Sequence, residues 1–415
     1  MSSSNDTPRF VALDLHKRYV MVGAVNSQQA VVLRPQRVEL VAFEGWAKKH
    51  LRFSDELVLE ATSNAWYLYD LLQPLVAGVV VANPYGVKLI AASLVKTDRR
   101  DTLVLARLLA AHLIPAIWIP PVEVRELRAL IAHRERLVSQ QTATKNRLHG
   151  ALHRHQLIPP EGRLFSAANR AWWRELNLLP SEKLRVQQDL TTLDHLAPHL
   201  AAVETELARL STVDPWAGQV AFLIQLPGIG LIIAMTILSA IGDISRFPAA
   251  KKLVGYAGLG ARVHASAQTH RTGGITKQGR RELRAALVEA AWVAVDTHPY
   301  WRERFEKLTA RMGKQKAIVA IARKLLVVVW HVLAYQQADR QADPQKVARF
   351  FLSWGRKLGT THRQGQRVAT FARQQLDKVG LGSELEQVHL GYTYTLPPSS
   401  LSQPVTELPA AIAAD

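Results

Sequence analysis

The chain has 415 residues, 48% of them apolar and 21% charged, an ordinary globular composition with room for two or three domains. Fifty-two basic against 34 acidic side chains leave a net charge of +18, which must face an anionic partner such as nucleic acid. The absence of cysteine excludes disulfides, thiolate zinc sites and cysteine nucleophiles, and suits a reducing cytoplasm, the expected location.

The charge is uneven. Residues 1–120 hold 13 basic and 10 acidic groups, residues 121–215 hold 13 and 11, and residues 216–415 hold 26 and 13. The attraction for an anion therefore sits mostly in the last half. No signal peptide is read at MSSSNDTPRF. The apolar run Leu231 to Ile241 is too short to span a bilayer, and the one near Ile318 is interrupted by Arg323 and Lys324, so no membrane partner is expected.

In chain order, RFVALDLHKRYVMVGAV (9–25) reads as two β-rich runs joined at His16–Tyr19, a hairpin, with a third strand over Val31–Leu40. Glu44–His50 is helical, Glu56–Glu60 is a short buried strand, Trp66–Val76 is helical, and Gly78–Ala82 is another strand. Val87 to Leu113 reads as one helical stretch. Strands alternating with helices predict an α/β domain with a mixed sheet over 1–120, and its hairpin-first order argues against a doubly wound Rossmann unit. Two seams at 3–4 spacing follow, Leu127 to Ala151 and Leu193 to Leu210. They predict a helical coiled-coil linker over 121–215, either an antiparallel hairpin or an intermolecular coiled coil, with Pro198 kinking or starting the second helix. Residues 216–340 read as a mainly α domain, and 341–415 as a C-terminal helix with a poorly ordered tail after about Leu381.

Three constellations can carry chemistry. The first is four acids, Asp14, Glu60, Asp98 and Asp101. A carboxylate in the apolar strand ALDLH costs several kcal/mol unless compensated. Asp98 and Asp101 share a helix face, and acids on two strands and one helix can converge at a sheet edge. Oxygen-only ligation selects Mg²⁺ or Mn²⁺, ions that serve phosphodiester chemistry. The bland reading pairs Asp98 and Asp101 with Lys96, Arg99 and Arg100 on a solvated face.

The second is LPGIG (226–230) before an apolar helix, a helix-hairpin-helix pattern in which Gly228 and Gly230 open the backbone to a phosphate. The third is GLGARVHASAQTHRTGGITKQGRRELR (258–284), with Arg262, Arg271, Lys277, Arg280, Arg281 and Arg284 against the single acid Glu282. Ser266 and Thr269 supply hydroxyls, and His264 and His270 could shuttle protons. Basic residues around a hydroxyl suit attack on a phosphodiester, although a serine in such a loop is more often a phosphate ligand than a nucleophile.

These segments, in this order, resemble the DEDD insertion-sequence transposases of the IS110 family, the bridge-RNA-guided recombinases. ALDLHK, the glutamate ending LVLE, and KTDRRDTLVLARLL (96–109) resemble its RuvC-like domain. LPGIGLIIAMTILSAIGDISRF and GYAGLGAR…GGITKQGRRELR resemble its transposase domain. The resemblance implies an RNase H-like fold, Mg²⁺ on Asp14, Glu60, Asp98 and Asp101, and Ser266 as a nucleophile forming a covalent serine–DNA intermediate. It also implies donor and target DNA paired to a non-coding guide RNA, and a homo-oligomer, dimer or tetramer, with active sites built across protomers. The stretch HASAQTHRTGG departs from the family pattern, leaving Thr269, Thr272 and Ser239 as alternative hydroxyls. The rival functions are a metal-dependent nuclease of the Holliday-junction-resolvase type, a non-enzymatic architectural DNA-binding protein and a sugar-kinase-like ATPase. The last would want a Gly-Thr or Gly-Ser phosphate loop where this chain has Leu15-His16-Lys17.

Overall fold

The computed structural model describes residues 8–90, 97–266 and 269–402. The chain divides into two compact units, Met1–Pro120 and Pro121–Asp415.

The first unit is built on a five-stranded sheet. Strands β1 (Phe10–Leu15), β2 (Tyr19–Val25) and β3 (Val31–Glu39) form an antiparallel meander. Helix α1 (Leu40–His50) returns the chain so that β4 (Glu56–Glu60) pairs parallel with β1. Helix α2 (Ala65–Leu72) then leads to β5 (Gly78–Ala82), parallel to β4, giving the order β3-β2-β1-β4-β5. Helices α3 (Pro84–Ile90) and α4 (Asp98–Ala110) complete the unit. The expected single helix over Val87–Leu113 is thus two, because Thr97 caps a new start: its side chain accepts from the Arg100 N–H.

Strand alternation sorts the core into two faces. Val11, Leu13, Leu57 and Leu59 pack on one side with Phe43 and Leu68. Phe10, Ala12, Val58 and Ala82 pack on the other, against Leu105, Ala106 and Leu109 of α4. Gly23 lets α4 approach β2, since a Cβ there would lie 3.2 Å from Thr102 Cγ2. One acid of this unit is purely structural: Asp55 is fully buried and accepts from Arg9 Nε at 2.8 Å and from the Arg52 N–H at 2.8 Å.

The second unit opens with α5 (Val122–Arg154), whose 33 residues span about 50 Å at 1.5 Å per residue. A connector carrying α6 (Arg170–Glu175) turns the chain into α7 (Pro180–Leu210). Ion pairs Arg134–Glu204, Arg147–Asp189 and Arg154–Glu182 run in opposite directions along the two helices, so the seams form an antiparallel hairpin within one chain. Leu148, Ala151, Trp173, Val186, Leu190 and Leu193 close its far end. Pro198 lies inside α7, which continues past it. The hairpin belongs to the same compact unit as the C-terminal region rather than standing apart as a linker: Arg128 of α5 donates to the carbonyls of Ser239 and Ala240.

Helices α8 (Ala217–Ile224), α9 (Leu231–Ile241) and α10 (Ala250–Tyr256) precede a two-stranded ribbon, β6 (Ala261–Ser266) and β7 (Thr269–Ile275). The ribbon replaces the loop expected there. Helices α11 (Arg281–Thr297), α12 (Pro299–Met312) and α13 (Lys314–Tyr335) follow. By length and composition α13 is apolar enough to cross a membrane, but Ile318, Ile321, Leu325 and Val329 are buried in the core and it packs against α10, α11 and α12.

The end of the chain corrects an expectation. Beyond α14 (Pro344–His362) and α15 (Val368–Val379), residues up to 402 are folded, with a hairpin of β8 (Gln387–Leu390) and β9 (Tyr392–Thr395). Buried Arg373 donates to the carbonyls of Gly382, Leu385 and Pro397, and Asp377 accepts from Ser399 and Ser400. Proline and serine in this stretch terminate helices without abolishing order. Residues 403–415 lie outside the described residues.

Two glycines fix the base of the ribbon. A Cβ on Gly258 (φ 69°) would lie 2.0 Å from the Gln278 carbonyl oxygen, and one on Gly279 (φ 103°) would lie 1.9 Å from that of Tyr256. Gly279→Ala is therefore expected to cost about 2–4 kcal/mol and lower the calorimetric melting temperature. Gly274→Ala, where a Cβ meets nothing within 4 Å, should change it by less than about 0.5 kcal/mol.

Candidate active site

Leu13 of β1 is in register with Leu59 of β4, so the next residues, Asp14 and Glu60, leave the parallel strands side by side. Both fall on the face that carries Ala12 and Val58, the face covered by α4. That helix begins with Asp98 and has Asp101 one turn on, where the positive helix end favours carboxylates. The topology thus places Asp14 and Glu60 at the carboxyl ends of the two central parallel strands and Asp98 and Asp101 at the start of α4; of these, Asp14 and Asp98 meet around His16.

The centre of the group is tight. His16 Nε2 lies 3.2 Å from Asp14 Oδ2 and 3.3 Å from Asp98 Oδ2. The Tyr19 hydroxyl donates to Asp98 Oδ2 at 2.9 Å, and its ring stacks on His16 with centroids 4.3 Å apart. Arg37 covers the Tyr19 ring at 4.1 Å. Among the described residues Asp98 therefore faces His16 and Tyr19, not the arginines beside it in sequence. Burial pushes the Asp14 carboxyl above its ordinary value; His16 opposes the shift, and the charges of Asp98 and Asp101 add to it. A half-buried carboxylate among like charges is costly unless a cation joins it. The donor atoms of Asp14, His16 and Asp98 lie within 4.8 Å of one another, a set that fits a divalent ion. His16 and Tyr19 were missed from sequence. His16 follows the end of β1 in the turn to β2, where its place beside the acids depends on Asp98 arriving from α4.

In the second unit, the turn between α8 and α9 has Gly228 at φ 81°, where a Cβ would sit 2.2 Å from the Ala290 carbonyl oxygen. Gly228 is thus needed for close packing on α11, while Gly230 is exposed at the start of α9. Ser266 ends β6, with Thr269 as its register partner; side chains of residues 263–272, including Arg271, lie outside the description. Ser239 is buried in α9, and its hydroxyl donates to the Thr236 carbonyl at 2.8 Å, which withholds it from a substrate.

Not all of the positive charge faces outward. Arg284 Nη1 donates to the carbonyls of Ala257 (3.0 Å) and Gly279 (3.1 Å), bracing the ribbon base. Arg128 and Arg246 donate to the last carbonyls of α9, and burial, with Arg280 nearby, lowers Arg128 to about 10. Arg262, Lys277 and Arg281 are exposed around the ribbon, and Arg280 is half-buried.

The acid-bearing mixed sheet and the basic helical region that follows it both fall within matches to transposase family models, and transposases cleave DNA and transfer strands. Residues 11–156 match the DEDD transposase family of IS110 type, and residues 220–306 match the family described as Transposase IS116/IS110/IS902. The pilin gene-inverting protein of Moraxella bovis is 31% identical over 289 residues, 67% of this chain and 79% of that one. The transposase for insertion sequence element IS1111A of Coxiella burnetii is 26% identical over 294 residues, 68% of this chain and 79% of that one. The chain belongs to the IS110 family of transposases.

Proposed function

We propose that this transposase recombines donor and target DNA through a serine–DNA intermediate, using a divalent ion held by Asp14, Glu60, Asp98 and Asp101. The observation that carries the reading is the Asp14–His16–Asp98 cluster, with its half-buried acid, at the carboxyl end of the central strand β1. Mg²⁺, or Mn²⁺ in its place, would supply Lewis-acid stabilisation of charge on the phosphate oxygens. The carboxylates of Asp14, Glu60, Asp98 and Asp101 would hold that ion and balance its charge. Ser266 Oγ forms a bond to phosphorus as the P–O bond to one deoxyribose breaks; the serine proton leaves to a base and the departing oxygen takes one up. Attack by a deoxyribose hydroxyl of the partner strand then reverses the exchange. Phosphodiester number is conserved, so no external energy source is required. The Holliday-junction-type alternative uses water instead and leaves no protein–DNA adduct.

The exposed basic residues Arg262, Lys277 and Arg281, with Arg271 and Arg280, would grip phosphates, and Gly230 at the N-terminus of α9 would offer backbone N–H groups. Gly228 and Arg284 would serve the same surface by holding its shape. The non-coding guide RNA and a dimeric or tetrameric assembly follow from the family resemblance, and the cysteine-free composition suits action in the cytoplasm. A plasmid assay with donor, target and the RNA encoded beside the gene tests the reading as a whole; recombination without that RNA would remove the guide.

The grip on phosphate has its own signature. Lys277→Ala with Arg281→Ala is expected to weaken DNA binding about equally for every sequence and to flatten the slope of log affinity against log salt by about 1–2. A fluorescence titration between low and moderate salt reads it. An unchanged slope would exclude both residues from the interface.

A further inference from the structure

The four-acid reading leaves the histidine of ALDLHK without a role. His16 Nε2 stands 3.2 Å from Asp14 Oδ2 and 3.3 Å from Asp98 Oδ2. Adjacent ligands on an octahedral ion with bonds of about 2.1 Å are separated by about 3.0 Å. The observed spacings are close to that value, and all three donor atoms fall within 4.8 Å. The ring is also held in place: it stacks on Tyr19 at 4.3 Å and 22°, and the Tyr19 hydroxyl orients Asp98 Oδ2 at 2.9 Å. One aromatic residue thus positions two of the three donors, an outer-shell arrangement that pre-organises a metal site.

We propose that His16 is a nitrogen ligand to the divalent ion and that it biases the site towards Mn²⁺ over Mg²⁺. The inference rests on the acids holding an ion, and adds a ligand and a selectivity to that reading. Mg²⁺ prefers oxygen donors and gives up water reluctantly, whereas Mn²⁺ and later first-row ions accept imidazole. A nitrogen donor between two carboxylates therefore favours the ion that can use it.

The test uses the full-length, metal-stripped protein titrated with MnCl₂. Electron paramagnetic resonance reads free Mn²⁺, and electron spin-echo envelope modulation reads nitrogen bound to the ion. The wild type is expected to show a nitrogen coupling that changes on ¹⁵N-histidine labelling and is lost in His16→Gln. The variant should bind Mn²⁺ about tenfold or more weakly, while its Mg²⁺ affinity, measured by competition, changes less than about threefold. Mn²⁺ binding that depends on Asp14 but carries no histidine coupling would overturn the role of His16 and leave the acid site standing. Mn²⁺ binding indifferent to Asp14→Asn, or no saturable binding, would overturn both. The wild-type spectrum is decisive by itself, so a poorly folded variant cannot hide the answer.

Discussion

Ser266→Ala is expected to give a folded protein that binds DNA, yields no recombinant plasmid and forms no covalent complex with DNA. The loss should be on the order of 10⁴-fold or more, because removal of a nucleophile leaves only binding and electrostatic stabilisation. The backbone argument supports a clean variant: Ser266 ends β6, and alanine asks nothing new of an extended strand. Thr269→Ala and Thr272→Val should retain recombination. Gel shift reports binding, and denaturing electrophoresis of labelled DNA reports the covalent complex. Full recombination by Ser266→Ala would move the nucleophile elsewhere.

Asp14→Asn is expected to abolish recombination as well, by on the order of a thousandfold or more, and for a different reason. Asparagine keeps the shape and removes the charge that would hold the ion. Its effect on stability should run the other way. Burial raises the Asp14 carboxyl in the folded protein above its unfolded value, so the folded state binds the proton more tightly. The carboxylate therefore opposes folding at neutral pH, and the penalty fades as pH falls through the raised value. Metal-free Asp14→Asn should melt at the same temperature as the wild type or higher at pH 7. Added Mn²⁺ should raise the melting temperature of the wild type but not of the variant. For the wild type this thermal gain should shrink as pH falls, because protons compete with the ion at Asp14. A variant that melts well below the wild type at pH 7 would assign Asp14 to structure instead.

Much of the first unit was legible because its strands obey a period of two and its acids break that pattern. Asp14 in ALDLH and Glu60 ending LVLE stood out against apolar neighbours, and their adjacency follows once β1 and β4 pair in parallel. The hairpin arm was equally plain from its 3–4 seams, while its union with the C-terminal region was not, since it depends on Arg128 reaching carbonyls more than a hundred residues away. The ribbon escaped notice because its glycines and arginines resemble a loop. They are instead fixed by two reciprocal close approaches, Gly258 to Gln278 and Gly279 to Tyr256. The folded end of the chain was hidden for a related reason: Arg373 gathers carbonyls from three places, and no local pattern announces it. His16 was overlooked because a histidine in a turn carries no signal until Asp98 arrives from α4. Of the +18 charge, Arg128, Arg246, Arg284 and Arg373 serve carbonyls within the protein, so the surface that meets nucleic acid is smaller than the count suggests.

The central claim is a covalent serine step assisted by the acid site, and one measurement addresses it most directly. The wild-type protein is incubated with donor and target DNA, the RNA encoded beside its gene and Mg²⁺, then denatured, digested with nuclease and protease, and read by tandem mass spectrometry. The account expects a nucleotide-modified peptide with the phosphodiester on Ser266, lost when the ion is chelated or Asp14 is asparagine. A modified Thr269 or Thr272, or strand cleavage with no adduct on the protein, would contradict it.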